Sequence, residues 1–201
     1  MKSTVASLLA VIVVTMIIFM ASPANAVKAY YPGDDQVALG IDPDVAFPLG
    51  NFSDVANAGF GINGNFQYRI NPRWDLLLNL GYLHWGGKSN IVGFDYSYSA
   101  VPFQGGAKYY FRTASLDSPR FYVGGLIGFH DMSLRIPRFD DAGRFLFSTS
   151  SSETEFSLAP LGGFEYGIAR DVNLDVSARY QYVANDFSYF GLRAGLNFLI
   201  R

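Results

Sequence analysis

The feature that most constrains this chain is alternation. From residue 36 onward, the sequence switches between apolar and polar residues with period two almost throughout. That period belongs to β-strands whose two faces meet different surroundings, because successive side chains point to opposite sides. The clearest run is 172–183. Val172, Leu174, Val176, Ala178, Tyr180 and Tyr182 form one face, and Asn173, Asp175, Ser177, Arg179 and Gln181 the other. Similar runs occupy 36–47, 60–70, 74–82, 99–111, 121–130, 154–168 and 190–200, which predicts eight strands. Each is about as long as the 9–11 residues with which a tilted strand crosses a bilayer.

Alternation does not say which face is outside. A soluble barrel with an apolar lumen shows the same period. Composition separates the two. Charged residues make up only 16% of the chain, too few to coat a soluble barrel; an ordinary domain carries about 25%. Aromatics also reach 16%, and they gather near strand ends on the apolar face. Tyr68, Trp74, Tyr109, Phe111, Phe121 and Tyr166 lie towards one end, and Phe47, Phe60, Tyr82, Tyr182 and Phe190 towards the other. Such girdles suit two lipid–water interfaces. The connections are uneven as well. Turns at 71–73 and 169–171 are tight and 112–120 is somewhat longer, whereas three of the four opposite connections (50–59, 86–98, 131–153 and 184–188) are longer and more polar. In hydrocarbon every backbone polar group needs an internal partner, so a sheet must close on itself. The expected fold is all-β, an eight-stranded antiparallel up-and-down transmembrane β-barrel. Short turns would face the periplasm and longer loops the exterior.

The amino terminus reads as an address. Lys2 precedes an apolar run from Val5 to Met20, and Ala24-Asn25-Ala26 has the form of a cleavage site. The run is short for a helix needing about 20 residues to span a bilayer. The expected organisation is a cleaved signal peptide at 1–26, a short periplasmic segment at 27–35 and the barrel at 36–201. A formal net charge of −2 gives no basic surplus for nucleic acid. With no cysteine, disulfides and thiolate metal sites are excluded. The acidic pairs Asp34-Asp35 and Asp140-Asp141 lack calcium-loop spacing. No metal or cofactor is expected.

The polar face supplies the first candidate site. Arg69, Lys108, Arg179 and Arg193 oppose Asp42, Asp44, Asp75, Glu165 and Asp175, four against five. Eight strands enclose a space that side chains can fill, so these groups are expected to pair into a plug. Glu165 and Asp175 should face each other across 169–171. Arg179 and Arg193 should face each other across the next hairpin, all four joining in one network on three neighbouring strands. A conducting pore would more often show one sign at a constriction.

No catalytic constellation emerges. His84 falls on the apolar-face parity and His130 on the polar-face parity. His130-Asp131-Met132-Ser133 gathers the right residue types, but a triad is defined by geometry. Lys88-Ser89-Asn90 follows His84 without the H-x-S-N spacing of lipid A deacylases. The segment 131–153 is the second candidate. Arg135, Arg138 and Arg144 are interleaved with Ile136, Phe139, Phe145, Leu146 and Phe147. They would either grip lipopolysaccharide or a host or phage protein, or simply prolong strands five and six as a hairpin.

Two stretches carry a family likeness. One is Pro102-Phe103-Gln104-Gly105-Gly106-Ala107-Lys108-Tyr109-Tyr110-Phe111. The other is Gly162-Gly163-Phe164-Glu165-Tyr166, followed by 175–180. With the strands placed, the sequence resembles the small eight-stranded outer-membrane barrels, which include OmpA-type transmembrane domains and opacity-type surface proteins. That resemblance implies a monomer in the outer membrane of a Gram-negative-type envelope, in contact with membrane lipid and lipopolysaccharide and inserted by the barrel assembly machinery. The terminal series Leu192, Ala194, Leu196, Phe198, Ile200 ends without the usual aromatic. The implied role is structural or surface-interacting, with an unknown extracellular ligand. A narrow pore or hydrophobic-solute conduit and a lipid A-modifying enzyme are the alternatives.

Overall fold

In a computed structural model, eight antiparallel strands close on themselves, each bonded to its neighbours in sequence and the first to the last. The strands are β1 (Val37–Pro48), β2 (Gly59–Asn71), β3 (Trp74–Gly86), β4 (Ser97–Tyr110), β5 (Arg120–Phe139), β6 (Phe145–Ala169), β7 (Val172–Val183) and β8 (Tyr189–Ile200). One short helix, α1 (Phe52–Val55), lies between β1 and β2. The structure describes residues 37–88, 96–111, 118–139, 145–169 and 171–200. The expected signal peptide, the segment 27–35, both acidic pairs, Ser89, Asn90 and Arg144 lie outside them.

The barrel is inside-out. Asn63, Gln104 and Gln181 are wholly buried, whereas Phe103, neighbouring Gln104, is 59% exposed. Leu39, Ile41, Leu78, Leu80, Ile127 and Phe129 are exposed as well. A water-soluble protein buries such residues, so the outer surface is built for lipid. Closure leaves no sheet edge in the hydrocarbon, where an unpaired N–H would be costly. Both aromatic girdles are present. Trp74, Phe111, Phe121 and Tyr166 are exposed at the short-turn end, and Phe60, Tyr82, Tyr182 and Phe190 at the other.

Prolines mark the interruptions in the ladders. Pro43, Pro102 and Pro160 each stand inside a strand. The β1–β8 ladder skips from Ile41–Leu196 to Asp44–Arg193. The β3–β4 ladder skips from Leu80–Phe103 to Leu83–Ala100. The β6–β7 ladder skips from Leu158–Tyr182 to Leu161–Arg179. Each gap falls where proline has no N–H to give, and pairing on its other side is continuous.

Two strands are longer than expected. Most of 131–153 is not a loop but a continuation of β5 and β6, paired without a break from Arg120–Glu165 to Arg138–Phe147. Alternation fades there because both faces meet water above the membrane, so the strand persists without its sequence signal.

Candidate functional site in the barrel lumen

The lumen is filled in layers. In the layer nearest the short turns, Arg69 grips Asp75 across the β2–β3 pair. Nε lies 2.9 Å from Oδ1 and Nη2 3.0 Å from Oδ2, a bidentate fork. The Tyr110 hydroxyl stands between two carboxylates, 3.0 Å from Asp75 Oδ2 and 2.7 Å from Glu165 Oε1. Lys108 Nζ then reaches Glu165 Oε1 at 3.1 Å and Asp175 Oδ2 at 2.5 Å, and the Tyr122 hydroxyl donates to Asp175 Oδ1 at 2.6 Å. The Arg120 guanidinium lies 3.8 Å from the Tyr110 ring centroid and donates to the Pro72 carbonyl.

A second layer centres on Asp44. Its Oδ2 receives Arg179 Nη2, Arg193 Nε at 3.4 Å and Asn63 Nδ2 at 3.1 Å. Arg193 Nη2 also donates to Asn79 Oδ1 at 2.8 Å. Asp42 Oδ2 takes Asn65 Nδ2 at 2.7 Å. The Tyr189 hydroxyl sits 3.3 Å from Arg179 Nη2 and 3.1 Å from His130 Nε2. Beside it, Gln104 Nε2 donates to Ser157 Oγ and Gln181 Oε1.

The third layer closes the mouth with aromatic rings. Phe52, carried by α1, is buried edge-on against Trp85, Tyr98 and Phe187, with centroids 5.3–5.5 Å apart. α1 is strapped to the β3–β4 ends. Tyr96 donates its hydroxyl to the Val55 carbonyl at 2.7 Å, Lys88 donates Nζ to the Ser53 carbonyl, and Ala56 bridges to Gly87.

The pairing differs from the sequence expectation in two ways. Arg179 pairs with Gly191 and Arg193 with Ser177, so the two arginines are two rungs apart rather than opposite. The connection between β7 and β8 fixes this register. Asn185 and Asp186 adopt left-handed φ values of 56° and 66°, which Asn and Asp tolerate, and Gln181 meets Tyr189. The four groups also do not form one network on three strands. Glu165 and Asp175 do face each other, but they take Lys108 from β4; Arg179 and Arg193 take Asp44 from β1. Lys108 and Arg179 thus reach partners across the lumen, whereas Arg193 meets Asp44 as its direct rung partner on the closing β1–β8 pair, much as Arg69 meets Asp75.

Residues 10–198 match the family described as the outer membrane protein beta-barrel domain. The chain belongs to that family. Its fold is shared with Neisserial surface protein A (20% identity, TM-score 0.53, covering 81% of this chain and 96% of that one). It is shared with Ail of Yersinia pestis, solved with the heparin analogue sucrose octasulfate (18%, 0.53, 85% and 100%). OprG of Pseudomonas aeruginosa matches as well (13%, 0.55, 87% and 99%). No curated protein matches the sequence. The family places this outer-membrane barrel in a Gram-negative envelope.

Several lumen groups of this outer-membrane barrel escaped the sequence reading. Arg120 falls at the end of the connection that the sequence predicts at 112–120, yet it is 1% exposed inside the barrel. With it, the named lumen charges are five basic and five acidic: Arg69, Lys108, Arg120, Arg179 and Arg193 against Asp42, Asp44, Asp75, Glu165 and Asp175. Tyr110, Tyr122 and Tyr189 share the parity of Lys108, Arg120 and Arg193, so counting by twos from the charges reaches them. Leu77, Leu83 and Trp85 are buried on the polar-face parity. Among these groups lie a cavity of about 30 Å³ beside Asp42, Lys108, Asp175 and Arg193, and one of about 10 Å³ beside Arg69, Asp75 and Glu165. Each has room for about one water molecule.

The histidines stay apart: His84 is exposed on the lipid face, and His130 is buried against Tyr189. Among the described residues, no cluster of three His, Asp or Glu side chains is placed to hold a metal ion. In the hairpin, Arg135 is exposed and pairs with Ser97 and Ser150. The backbones of Arg138 and Phe139 pair with Phe147 and Phe145 across a register shift.

Proposed function

We propose that this outer-membrane barrel is a closed structural and surface-interaction protein, its lumen plugged by charge pairs and its loops presented outside the cell. Ion pairs joining Arg69, Lys108, Arg179 and Arg193 to Asp44, Asp75, Glu165 and Asp175 fill the lumen beneath the Phe52 cap, and this arrangement carries the reading. An ion entering would have to break buried pairs, each worth about 3–5 kcal/mol when one partner is removed. The cavities beside Lys108 and beside Arg69 are too small for a hydrated ion. Lipid and lipopolysaccharide surround it, the barrel assembly machinery inserts it, and cleavage after Ala26 releases it from export. It works as a monomer without a catalytic step: His130 is engaged with Tyr189, and His84 stands on the opposite face.

Single-channel recording of the purified protein in a planar bilayer tests this reading. The expected trace is silent. Steady nanosiemens openings would overturn the plug and favour the conduit. Mass spectrometry of lipid A from cells with and without the protein should give the same masses; a lost acyl chain would establish an enzyme instead.

A further inference from the structure

The hairpin formed by β5 and β6 has one edge with no partner strand among the described residues. β6 is paired with β5 up to Phe145, but its pairing with β7 begins only at Ser157. The last backbone bond on that side runs from Ala184 N–H to the Phe156 carbonyl, and just above it Asn185 Nδ2 donates to Glu155 Oε1 at 2.6 Å. The backbone bond fixes the orientation of everything above it. In an antiparallel strand the N–H and C=O of one residue point the same way, and the direction alternates. The register of β6 on β5 is unbroken through this stretch. Thr154, Ser152 and Ser150 therefore present both backbone groups to the open side.

We infer that this edge is a docking site for an extended, cationic peptide segment of a partner protein, which adds to the hairpin as a further antiparallel strand. Three observations favour that occupant. Residues 149–154 are all exposed, on both faces of the ribbon, so nothing else packs there. Of the usual edge defences, lysine, proline and a bulge are absent from 149–156, and the charges there are acidic only. Charge supplies the third, because Glu153 and Glu155 stand on one face of the edge strand, and cross-strand pairs favour opposite charge. Serine and threonine side chains are small enough to let a second backbone approach. A neighbouring copy in the same membrane fits less well. It is inserted in the same sense, so its β6 runs parallel to this one, and strand tilts of about 35–45° make the two diverge. A free peptide has no such restriction. Main-chain bonds would give affinity and alternate side chains specificity.

The inference rests on the surface-interaction reading and narrows it to one edge. The test uses the full chain in detergent micelles and a labelled eight-residue peptide alternating Lys and Thr, with binding read by fluorescence anisotropy. The expected result is saturable binding that falls at least ten-fold for the same peptide N-methylated at alternate backbone nitrogens. Ser152→Pro should weaken binding as much, because it removes an N–H that points away from β5. Glu153→Gln should weaken it several-fold. No binding, or binding indifferent to backbone methylation, overturns the inference, and the methylated peptide decides even if Ser152→Pro fails to fold. A protein that is silent in a bilayer yet ignores the peptide removes the edge site alone; a conducting one removes the closed-barrel reading.

Discussion

Asp44 shows how single residues hold the lumen. It is 2% exposed and is the one described carboxylate that Arg179 and Arg193 share. Asp44→Asn keeps the volume but leaves two guanidiniums buried without their anion. The expected loss is about 3–5 kcal/mol, the usual result of removing one partner from a buried pair. Urea unfolding in micelles, followed by tryptophan fluorescence, measures it. Adding Arg179→Met should recover part of the loss, because the two positions are coupled. Recovery of nothing would mean that Asp44 acts through Asn63 alone. Space for these groups comes from glycine. A Cβ at Gly195 would lie 2.0 Å from Asp42 Oδ1 and 2.4 Å from the Ile41 carbonyl, so a side chain there collides with β1. At this scale the sequence was half legible. Parity told that Asp44, Lys108 and Glu165 point inward. It could not tell that Lys108 reaches Glu165 and Asp175, or that Arg179 reaches Asp44, since partners across a lumen depend on closure rather than on hairpin register.

Among the elements, legibility followed environment. Six of the eight strands match the alternating runs to within four residues at either end, because lipid and lumen ask for opposite side chains. α1 was invisible: four residues are too few to show a helical period. Yet it delivers Phe52, which closes the mouth. Phe52→Ala should free this segment without harming the barrel, since α1 is held mainly by that ring and by bonds from Tyr96 and Lys88. Hydrogen exchange at Ala56, whose N–H bonds to the Phe52 carbonyl, should quicken ten-fold or more, while the β1 and β2 amides stay protected. Equal acceleration in the strands would show instead that the cap is part of the global fold. The hairpin is the opposite case: a long element that continues the β5–β6 pairing beyond His130 and Met132, the last β5 residues buried in the barrel among the described ones.

For the whole molecule, the question is where stability resides. Every strand is bonded on both sides within the membrane, so the barrel has no edge from which to fray, and it should lose structure in one step. Boiled and unboiled samples in detergent should migrate differently on a gel, and the temperature at which one form becomes the other reports the strength of the closed state. For a chain of this size, about 1 kcal/mol corresponds to roughly 2–4 °C. Asp44→Asn should therefore lower the conversion temperature by on the order of 10 °C. Lys108→Met should do likewise, because it strands Glu165 and Asp175 against each other. Deleting 134–148 should leave the temperature nearly unchanged, because every described member of the two ion-pair layers lies outside that segment. The reverse ranking would place the stabilising interactions in the extracellular hairpin. The lumen charges would then be free to serve transport, and the case for a plugged barrel would fail at the scale where it was made.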